Sequence, residues 1–197
     1  FYNKNLYKSY QEEDLNKLWK DQEYAKIVDI CEEGLKDNFL DFNYLCFKGF
    51  ANFYLGISQI SLEMKIPLIN ESIVSLRKAL ILTNDELRGD ISYVLGKAYY
   101  YKGKSYSDLT IKYLDLAIEE GYLRKDIYEY KGLAYYELGL YEESIKEFES
   151  LSNDKLSPEI LLILSKGYGQ LGNIIQQEEL LVDILDITNQ SDVKADA

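Results

Sequence analysis

Two nine-residue stretches, "LGKAYYYKG" at Leu95–Gly103 and "KGLAYYELG" at Lys131–Gly139, repeat one pattern. Looser copies read "KGFANFYLG" at Lys48–Gly56 and "LSKGYGQLG" at Leu164–Gly172. Each copy has a small residue seven positions before its closing glycine, and the closing glycines recur after 47, 36 and 33 residues. Internal similarity at a period of about 20–50 residues is the sequence signature of repeat architectures. The chain is therefore predicted to be an array of similar units.

A second amphipathic stretch follows each copy. The clearest are "ESIVSLRKALIL" at Glu71–Leu82, "LTIKYLDLAI" at Leu109–Ile118 and "YEESIKEFESL" at Tyr141–Leu151. The chain has only two prolines and no Asn-Gly or Asp-Gly turn, which together with the helical spacing predicts an all-α fold. A weaker first unit reads "DLNKLWKDQEYAKIVDICEEGL", Asp14–Leu35. Each unit is thus two helices, and the closing glycine is expected to end the first helix in a left-handed conformation.

Two helices in a unit of about 34 residues resemble the tetratricopeptide repeat (TPR) family. The signature positions of that family hold Gly132, Ala134, Tyr135, Gly139, Tyr141 and Phe148 in the fourth unit, and Leu95, Gly96, Ala98, Tyr99, Gly103 and Ala117 in the third. The first unit departs from the pattern at Leu15, and the fifth has Ser165 and Gly167 in place of Gly and Ala. The resemblance implies a right-handed α-solenoid of about five units in a single domain, residues 1–191, followed by a polar tail at 192–197. The units are expected at 8–41, 42–88, 89–124, 125–157 and 158–191.

The resemblance also implies a groove lined by the first helix of each unit. Tyr99 falls on a core position, whereas Tyr100 and Tyr101 fall on positions that face the groove in related arrays. An aromatic groove suits an extended or helical peptide of a partner protein, because such side chains give a large contact area at low entropic cost. Packing against the neighbouring repeat is the alternative, above all for Phe53, Tyr100 and Tyr136. The candidate groove residues are Phe50, Phe53, Tyr54, Tyr93, Lys97, Tyr100, Tyr101, Leu133 and Tyr136.

Two segments depart from the repeat pattern. The insertion at 57–70, "ISQISLEMKIPLIN", is apolar where a solvent-exposed loop should be polar. One hypothesis is packing, in which the first helix is lengthened by a turn or two and Pro67 opens the next helix. The other is docking of a partner through Ile60, Leu62, Met64 and Ile66. In the last unit, Leu181, Ile184 and Leu185 are a candidate interface, since they lie where a following repeat would pack.

Composition limits the chemistry of the chain. The net charge is −12 without a basic cluster, which argues against binding to nucleic acid or anionic lipid. The chain has no histidine and no phosphate-binding glycine motif, so we expect no catalysis, no cofactor and no metal site. Cys31 and Cys46 are too few for a disulfide framework or a zinc site. No apolar run approaches the ~18 residues of a membrane span.

The sequence therefore predicts a non-catalytic scaffold or adaptor that binds a protein partner and stabilises or positions it, with a bacterial cell-envelope complex as one setting. The alternative is a carrier that holds a lipid or small apolar ligand in the aromatic groove. Homo-oligomerisation is a third alternative. Because the sequence starts at Phe1 rather than Met, we expect that an N-terminal signal or anchor was removed, which favours a periplasmic or envelope-associated location over a cytoplasmic one.

Overall fold

The structure, a computed structural model, describes residues 10–83, 86–151 and 156–195. Within these ranges the regular secondary structure is helical and contains no β-strand. Helix starts follow local chemistry. The Asp41 carboxylate caps one helix by accepting the backbone N–H of Tyr44 at 3.0 Å. Ser157 followed by Pro158 opens another. The α-helices are α1 (Tyr10–Lys20), α2 (Tyr24–Asp37), α3 (Phe42–Ile57), α4 (Leu62–Leu82), α5 (Arg88–Lys102), α6 (Ser107–Glu119), α7 (Lys125–Leu138), α8 (Tyr141–Glu149), α9 (Pro158–Gln170) and α10 (Ile174–Ala195).

Consecutive helices pack on one another: α1 on α2, α3 on α4, α7 on α8, and α9 on α10. Glycines in the first helix of a pair receive large side chains from the second. A Cβ atom on Gly49 would lie 2.5 Å from Cγ of Leu76, and one on Gly132 would lie 2.7 Å from Cε1 of Phe148. Any larger residue at either glycine would push the paired helices apart. The repeated small residue is thus a requirement of helix packing.

The closing glycines are used in two ways. Gly103, Gly139 and Gly172 have φ values of 119°, 78° and 77°, which lie in the region that only glycine adopts at little cost. The prediction that the closing glycine ends the first helix in a left-handed conformation is confirmed at Gly139; Gly103 also ends its helix but with ψ of 171°, and Gly172 lies one residue past the C-cap of α9. It is wrong at Gly56, which lies inside α3. A Cβ atom there would lie 2.8 Å from Cδ1 of Ile69, so this glycine permits a close helix approach.

The insertion lengthens the second helix of its unit, not the first. Helix α3 ends at Ile57, and α4 begins at Leu62 and contains Pro67. The packing hypothesis was therefore wrong about Pro67, which does not open a helix. The first hydrogen bond of α4 runs from the Lys65 N–H to the Ser61 carbonyl at 2.9 Å. Proline in the following turn costs this long helix a single backbone hydrogen bond.

By its contacts the chain divides into two compact units. Unit 1 comprises Phe1–Gly103 and Tyr113–Tyr122, and unit 2 comprises Lys104–Lys112 and Leu123–Ala197. One core cluster of unit 1 is built from Leu15, Ile27, Cys31, Phe47 and Ala51, and the core cluster of unit 2 from Ile145, Phe148, Leu151, Ile160 and Leu164.

None of the helices in the described ranges is both long enough and apolar enough to cross a membrane. Nor, among the described residues, do three or more histidine, cysteine or acidic side chains gather where they could hold a metal ion.

Candidate functional site

Unit 1 carries a connected group of aromatic rings around the α1–α2 turn. Trp19 lies 5.2 Å from Tyr24 and 5.6 Å from Tyr54 between ring centroids, with the rings at 68° and 77°. Tyr24 and Tyr54 are stacked on each other at 5.2 Å and 14°. All three side chains are half-buried, so each ring keeps part of its area at the surface. Edge-to-face and stacked contacts of this kind are the arrangements that aromatic pairs prefer.

The group continues from α3 to α5. Phe53 lies 5.6 Å from Tyr54 and 6.1 Å from Tyr101, and Tyr101 lies 5.5 Å from Tyr100. Tyr100 and Tyr101 are half-buried, whereas Tyr99 is only 3% exposed and stacks on Tyr113, as predicted for a core position. We refer to the half-buried rings as the aromatic surface; it comprises Trp19, Tyr24, Tyr54, Tyr100 and Tyr101.

Two candidate groove residues belong to the core instead. Phe50 is 3% exposed and Phe53 is 2% exposed. Phe50 lies 6.4 Å from Trp19, a contact with the first helix of the chain that covers it. The expectation that Phe50 and Phe53 line a groove is therefore corrected: they form the buried base on which the aromatic surface rests.

Lysines lie against two of the tyrosines of unit 1. The Lys65 ammonium is 5.7 Å from the ring centroid of Tyr101. The Lys97 ammonium donates a hydrogen bond to the Tyr93 hydroxyl at 3.0 Å and lies 5.0 Å from the centroid of that ring. Tyr93 also contacts Tyr122 at 4.9 Å between centroids. Tyr93 and Lys97 are thus committed to local contacts, while Lys65 brings positive charge to the edge of the aromatic surface.

The insertion exposes apolar side chains beside this surface. Ile60 is fully exposed, and Leu62 and Met64 are 66% and 60% exposed. We call these three residues the apolar ridge. Ile66 is half-buried, and Ile69 is fully buried. The insertion therefore both packs and presents apolar surface, with Lys65 linking the ridge to Tyr101.

The candidates in unit 2 are dispersed. Leu133 packs against the core cluster of that unit, and Tyr136 contacts Tyr141 edge-on at 5.5 Å. On α10, Ile184 is half-buried, while Leu181 and Leu185 are 39% and 60% exposed. Unit 2 thus offers an exposed apolar helix face rather than a cluster of rings.

The helix pairs match those of solved structures. The MamA structure designated "MSR-1 C2" has a TM-score of 0.72 at 17% identity, covering 92% of this chain and 97% of that chain. YrrB, described as a TPR protein with an unusual peptide-binding site, has a TM-score of 0.69 at 17% identity, covering 88% of this chain and 82% of that chain. The fold is that of the TPR proteins. A scan against family models and a search of curated proteins give no match.

Sequence reasoning missed two residues of the aromatic surface, Trp19 and Tyr24. Both lie in the first helix pair, residues 8–41, which fits the TPR pattern poorly. The sequence analysis named no candidate groove residue there. The available signal was the stretch "LWKDQEY", which puts two aromatic residues around the turn between the helices of that unit. Their contacts with Tyr54 join two successive helix pairs. The repeat pattern within one pair therefore could not predict them.

The two cysteines of the chain are not placed to act as nucleophiles or metal ligands. Cys31 and Cys46 are free thiols in the core. Burial raises the pKa of Cys31 to about 12, and burial raises the pKa of Cys46 as well. Both stay protonated at neutral pH, whereas a nucleophile or metal ligand must be a thiolate.

A recess of about 320 Å³ lies in unit 2, away from any candidate of the sequence analysis. Acidic, basic and aliphatic side chains line it, and none of the lining residues is aromatic. The lining residues are Lys125, Asp126, Glu129, Leu151, Leu156, Ser157 and Ile160.

Proposed function

We propose that this protein is a non-catalytic scaffold that binds a segment of a protein partner on the aromatic surface of unit 1 and stabilises or positions it. The observation that carries the proposal is the Trp19–Tyr24–Tyr54 cluster, whose rings lie 5.2–5.6 Å apart and are all half-buried. Tryptophan and tyrosine dominate the energetics of protein interfaces. Rings already held by one another lose little entropy when a partner binds.

The buried base adds to this support. The buried Phe50 and Phe53 rings contact Trp19 and Tyr54 from the core side, at 6.4 and 5.6 Å between ring centroids, and this close packing limits the positions that the rings above them can take. Among proteins of this fold, YrrB has a peptide-binding site. That comparison supports the proposal only at the level of the fold, because one fold can host unrelated functions.

The non-catalytic part of the proposal rests on chemistry. The chain has no histidine to serve as a general base. Burial keeps Cys31 and Cys46 protonated, which deprives them of nucleophilic character.

The recess in unit 2 does not support the carrier alternative, which placed the ligand in the aromatic groove, because none of the residues that line the recess is aromatic or belongs to the candidate groove. A bacterial cell-envelope setting, and a periplasmic or envelope-associated location, stay predictions that no observation on the fold addresses.

Affinity capture from native lysate followed by mass spectrometry tests the scaffold proposal. The double variant Tyr54→Ala/Tyr101→Ala removes two rings of the aromatic surface from different helices. Tyr113→Ala is the matched control, because it removes a half-buried stacked tyrosine from unit 1 outside that surface. Circular dichroism verifies that each variant is folded.

We expect one protein to be retained by the wild type and the control and lost by the double variant. A partner retained equally by all three would refute binding on the aromatic surface. The chain offers a second readout, since Trp19 is its only tryptophan. Binding of the captured partner should therefore change the tryptophan emission of the wild type.

A further inference from the structure

The C-terminal part of α4 has an exposed face that is both apolar and basic. Val74 and Ile81 are 49% and 83% exposed. Arg77 and Lys78 lie between them in the sequence, and both side chains are exposed. Among the described residues, neither of these two cations forms an ion pair. Because no acidic partner neutralises them, they can attract a carboxylate from another molecule.

The two acidic residues of α4 do not cancel this charge. Glu71 precedes Val74 by three positions, and its carboxylate pairs with the Lys48 ammonium at 3.2 Å. Glu63 lies about 16 Å from Val74 along the helix axis, beyond the ~8 Å at which physiological salt screens exposed charges. From Val74 to Leu82 the helix has two basic residues and no acidic one. We call this face the basic face; it comprises Val74, Arg77, Lys78, Ile81 and Leu82.

Helix α10 presents an exposed face of the opposite charge. Between Ile174 and Ile187 it has four acidic residues and no basic one. Within the described part of the chain, none of these four carboxylates forms an ion pair. Exposed apolar side chains accompany them on the same helix. We call this face the acidic stripe; it comprises Ile174, Ile175, Glu178, Glu179, Leu181 and Val182.

The two faces also share one spacing. In each, an apolar residue is followed four positions later by a charged residue and three positions after that by a second apolar residue. At about 100° per residue, such a triplet falls within a sector of about 60°, and its apolar ends lie about 10 Å apart along the helix axis. When the faces meet, apolar side chains can therefore contact each other while the opposite charges meet between them. The triplets are Val74, Lys78 and Ile81 on α4, and Ile174, Glu178 and Leu181 on α10.

We propose that the acidic stripe of one copy of the chain docks on the basic face of a second copy, with Glu178 opposite Lys78. The matching spacing and the opposite charge of the two faces carry the proposal, since charge complementarity steers association and fixes register. Pairing of two acidic stripes, or of two basic faces, would set like charges against each other. The contact is therefore head-to-tail, and this self-assembly does not depend on the partner proposed for the aromatic surface.

A head-to-tail contact leaves one basic face and one acidic stripe unused at the ends of every open assembly. Such assemblies grow into rings where the rotation closes and into filaments where it does not. The mass in solution should therefore rise with concentration beyond that of a dimer. Because two exposed helix faces form a small interface, we expect this rise only at high protein concentration.

Light scattering after size separation, repeated up to millimolar concentration, measures the mass directly. The wild type should rise above the 22.9 kDa of one chain as concentration increases. Lys78→Glu and Glu178→Lys should each raise the midpoint concentration roughly tenfold, because each replaces an attraction by a repulsion. Combining the two changes in one chain exchanges the charges and should restore association. Lys17→Glu on α1 and Glu142→Lys on α8 are the exposed charge-reversal controls and should leave the midpoint unchanged.

A mixing experiment tests the head-to-tail geometry. The α4 variant Lys78→Ser/Ile81→Ser keeps only its acidic stripe, and the α10 variant Glu178→Ser/Val182→Ser keeps only its basic face. Each variant alone should stay at the mass of one chain, and the mixture should reach twice that mass and no more. All four positions are exposed, so these changes leave the core intact.

A wild type that remains at 22.9 kDa up to millimolar concentration overturns the proposal. So does self-association that survives both charge reversals, or a pair of variants that fail to complement each other. A basic helical peptide of another protein that binds the acidic stripe of a strictly monomeric chain would also overturn it. The scaffold proposal has its own readout in the capture by the Tyr54→Ala/Tyr101→Ala variant, so the two can fail separately.

Discussion

The α3–α4 and α7–α8 pairs have the same sequence motif, but its second glycine has a different structural role in each pair. Both have a Lys-Gly dipeptide in the first helix and a second glycine seven residues later. In α7–α8 that second glycine, Gly139, is left-handed and ends the helix. In α3–α4 it is Gly56, a helical residue in contact with Ile69. The helices of the first pair have 16 and 21 residues, and those of the second 14 and 9.

The difference teaches which part of the motif carries the fold. The first glycine has the same role in both pairs, because Gly49 and Gly132 each admit a large side chain from the second helix. The second glycine can take another role in the α3–α4 pair, because the insertion lengthens α4 and places Ile69 against Gly56. Packing of the pair is thus the constant element, and the turn is the adaptable one.

We expect the largest effect from truncating the side chain of the second helix that packs against the small glycine of the first. Phe148 and Leu76 are both fully buried. Phe148→Ala should destabilise the protein by about 3–5 kcal/mol and Leu76→Ala by about 2–5 kcal/mol, because each leaves a cavity between paired helices. Urea denaturation followed by circular dichroism measures both. Leu138→Ala, 44% exposed on α7, is the control and should cost far less. Equal losses for control and core variants would contradict this account of the pairs.

The lysine of the Lys-Gly dipeptide gives the next effect. The Lys131 ammonium pairs with Glu147 at 2.8 Å, and the two side chains are 9% and 15% exposed. The Lys48 ammonium pairs with Glu32 and Glu71, which are 53% and 55% exposed. Lys131→Met leaves the largely buried Glu147 carboxylate without its cation. The free energy of unfolding should therefore fall by roughly 3 kcal/mol. Lys48→Met leaves carboxylates that water can solvate and should cost about 1 kcal/mol.

The measurement is again the free energy of unfolding in urea. Lys131→Met/Glu147→Leu serves as control, since removing both charges should recover much of the loss. Equal costs for the two lysine variants would mean that exposure of the partner carboxylate does not set the value of the ion pair.

The turn glycines should show a smaller difference. Ala at Gly139 must adopt φ of 78° and should cost about 1–2 kcal/mol, although no atom lies within 4 Å of the added Cβ. Ala at Gly56 gains about 1 kcal/mol of helix propensity, offset by contact with the flexible end of the Ile69 side chain, so its net effect should be within about 1 kcal/mol. Thermal melts of the two variants check this, with Gly139→Asn as the left-handed-tolerant control. A costlier change at Gly56 would reverse the roles assigned to the two turns.

Most of the fold could be predicted because the residues of the repeated motif are set by steric requirements of helix packing and helix termination. Gly132 must be small where Phe148 arrives, and Gly139 must be left-handed where α7 ends. Pro67 shows the limit of such reasoning. Proline can open a helix or lie in its second turn, and nothing in the local sequence distinguishes the two positions.

The candidate site was less predictable for a related reason. Tyr99 is buried as predicted, since its position is fixed within its own helix pair. Phe50 was misplaced and Trp19 was missed, and the two lie 6.4 Å apart. Both errors come from a contact between successive units of the array. The repeat pattern of one helix pair does not show which of its side chains are buried by the preceding helix pair.

The pH dependence of the Lys48 bridges gives the smallest and most specific effect. Burial lowers the pKa of Lys48, but hydrogen bonds to Glu32 and Glu71 outweigh it and raise the pKa overall. Because the folded-state pKa exceeds the unfolded value of about 10.4, the contribution is complete below that value. It is lost as the pH rises through the higher folded-state pKa. The difference in unfolding free energy between wild type and Lys48→Met should therefore shrink from about 1 kcal/mol toward zero as the pH rises through that folded-state pKa. Taking the difference cancels the ionisation of the 19 tyrosines, which both proteins share. A difference that persists unchanged at high pH would show that Lys48 stabilises the α3–α4 pair through its aliphatic stem rather than its charge.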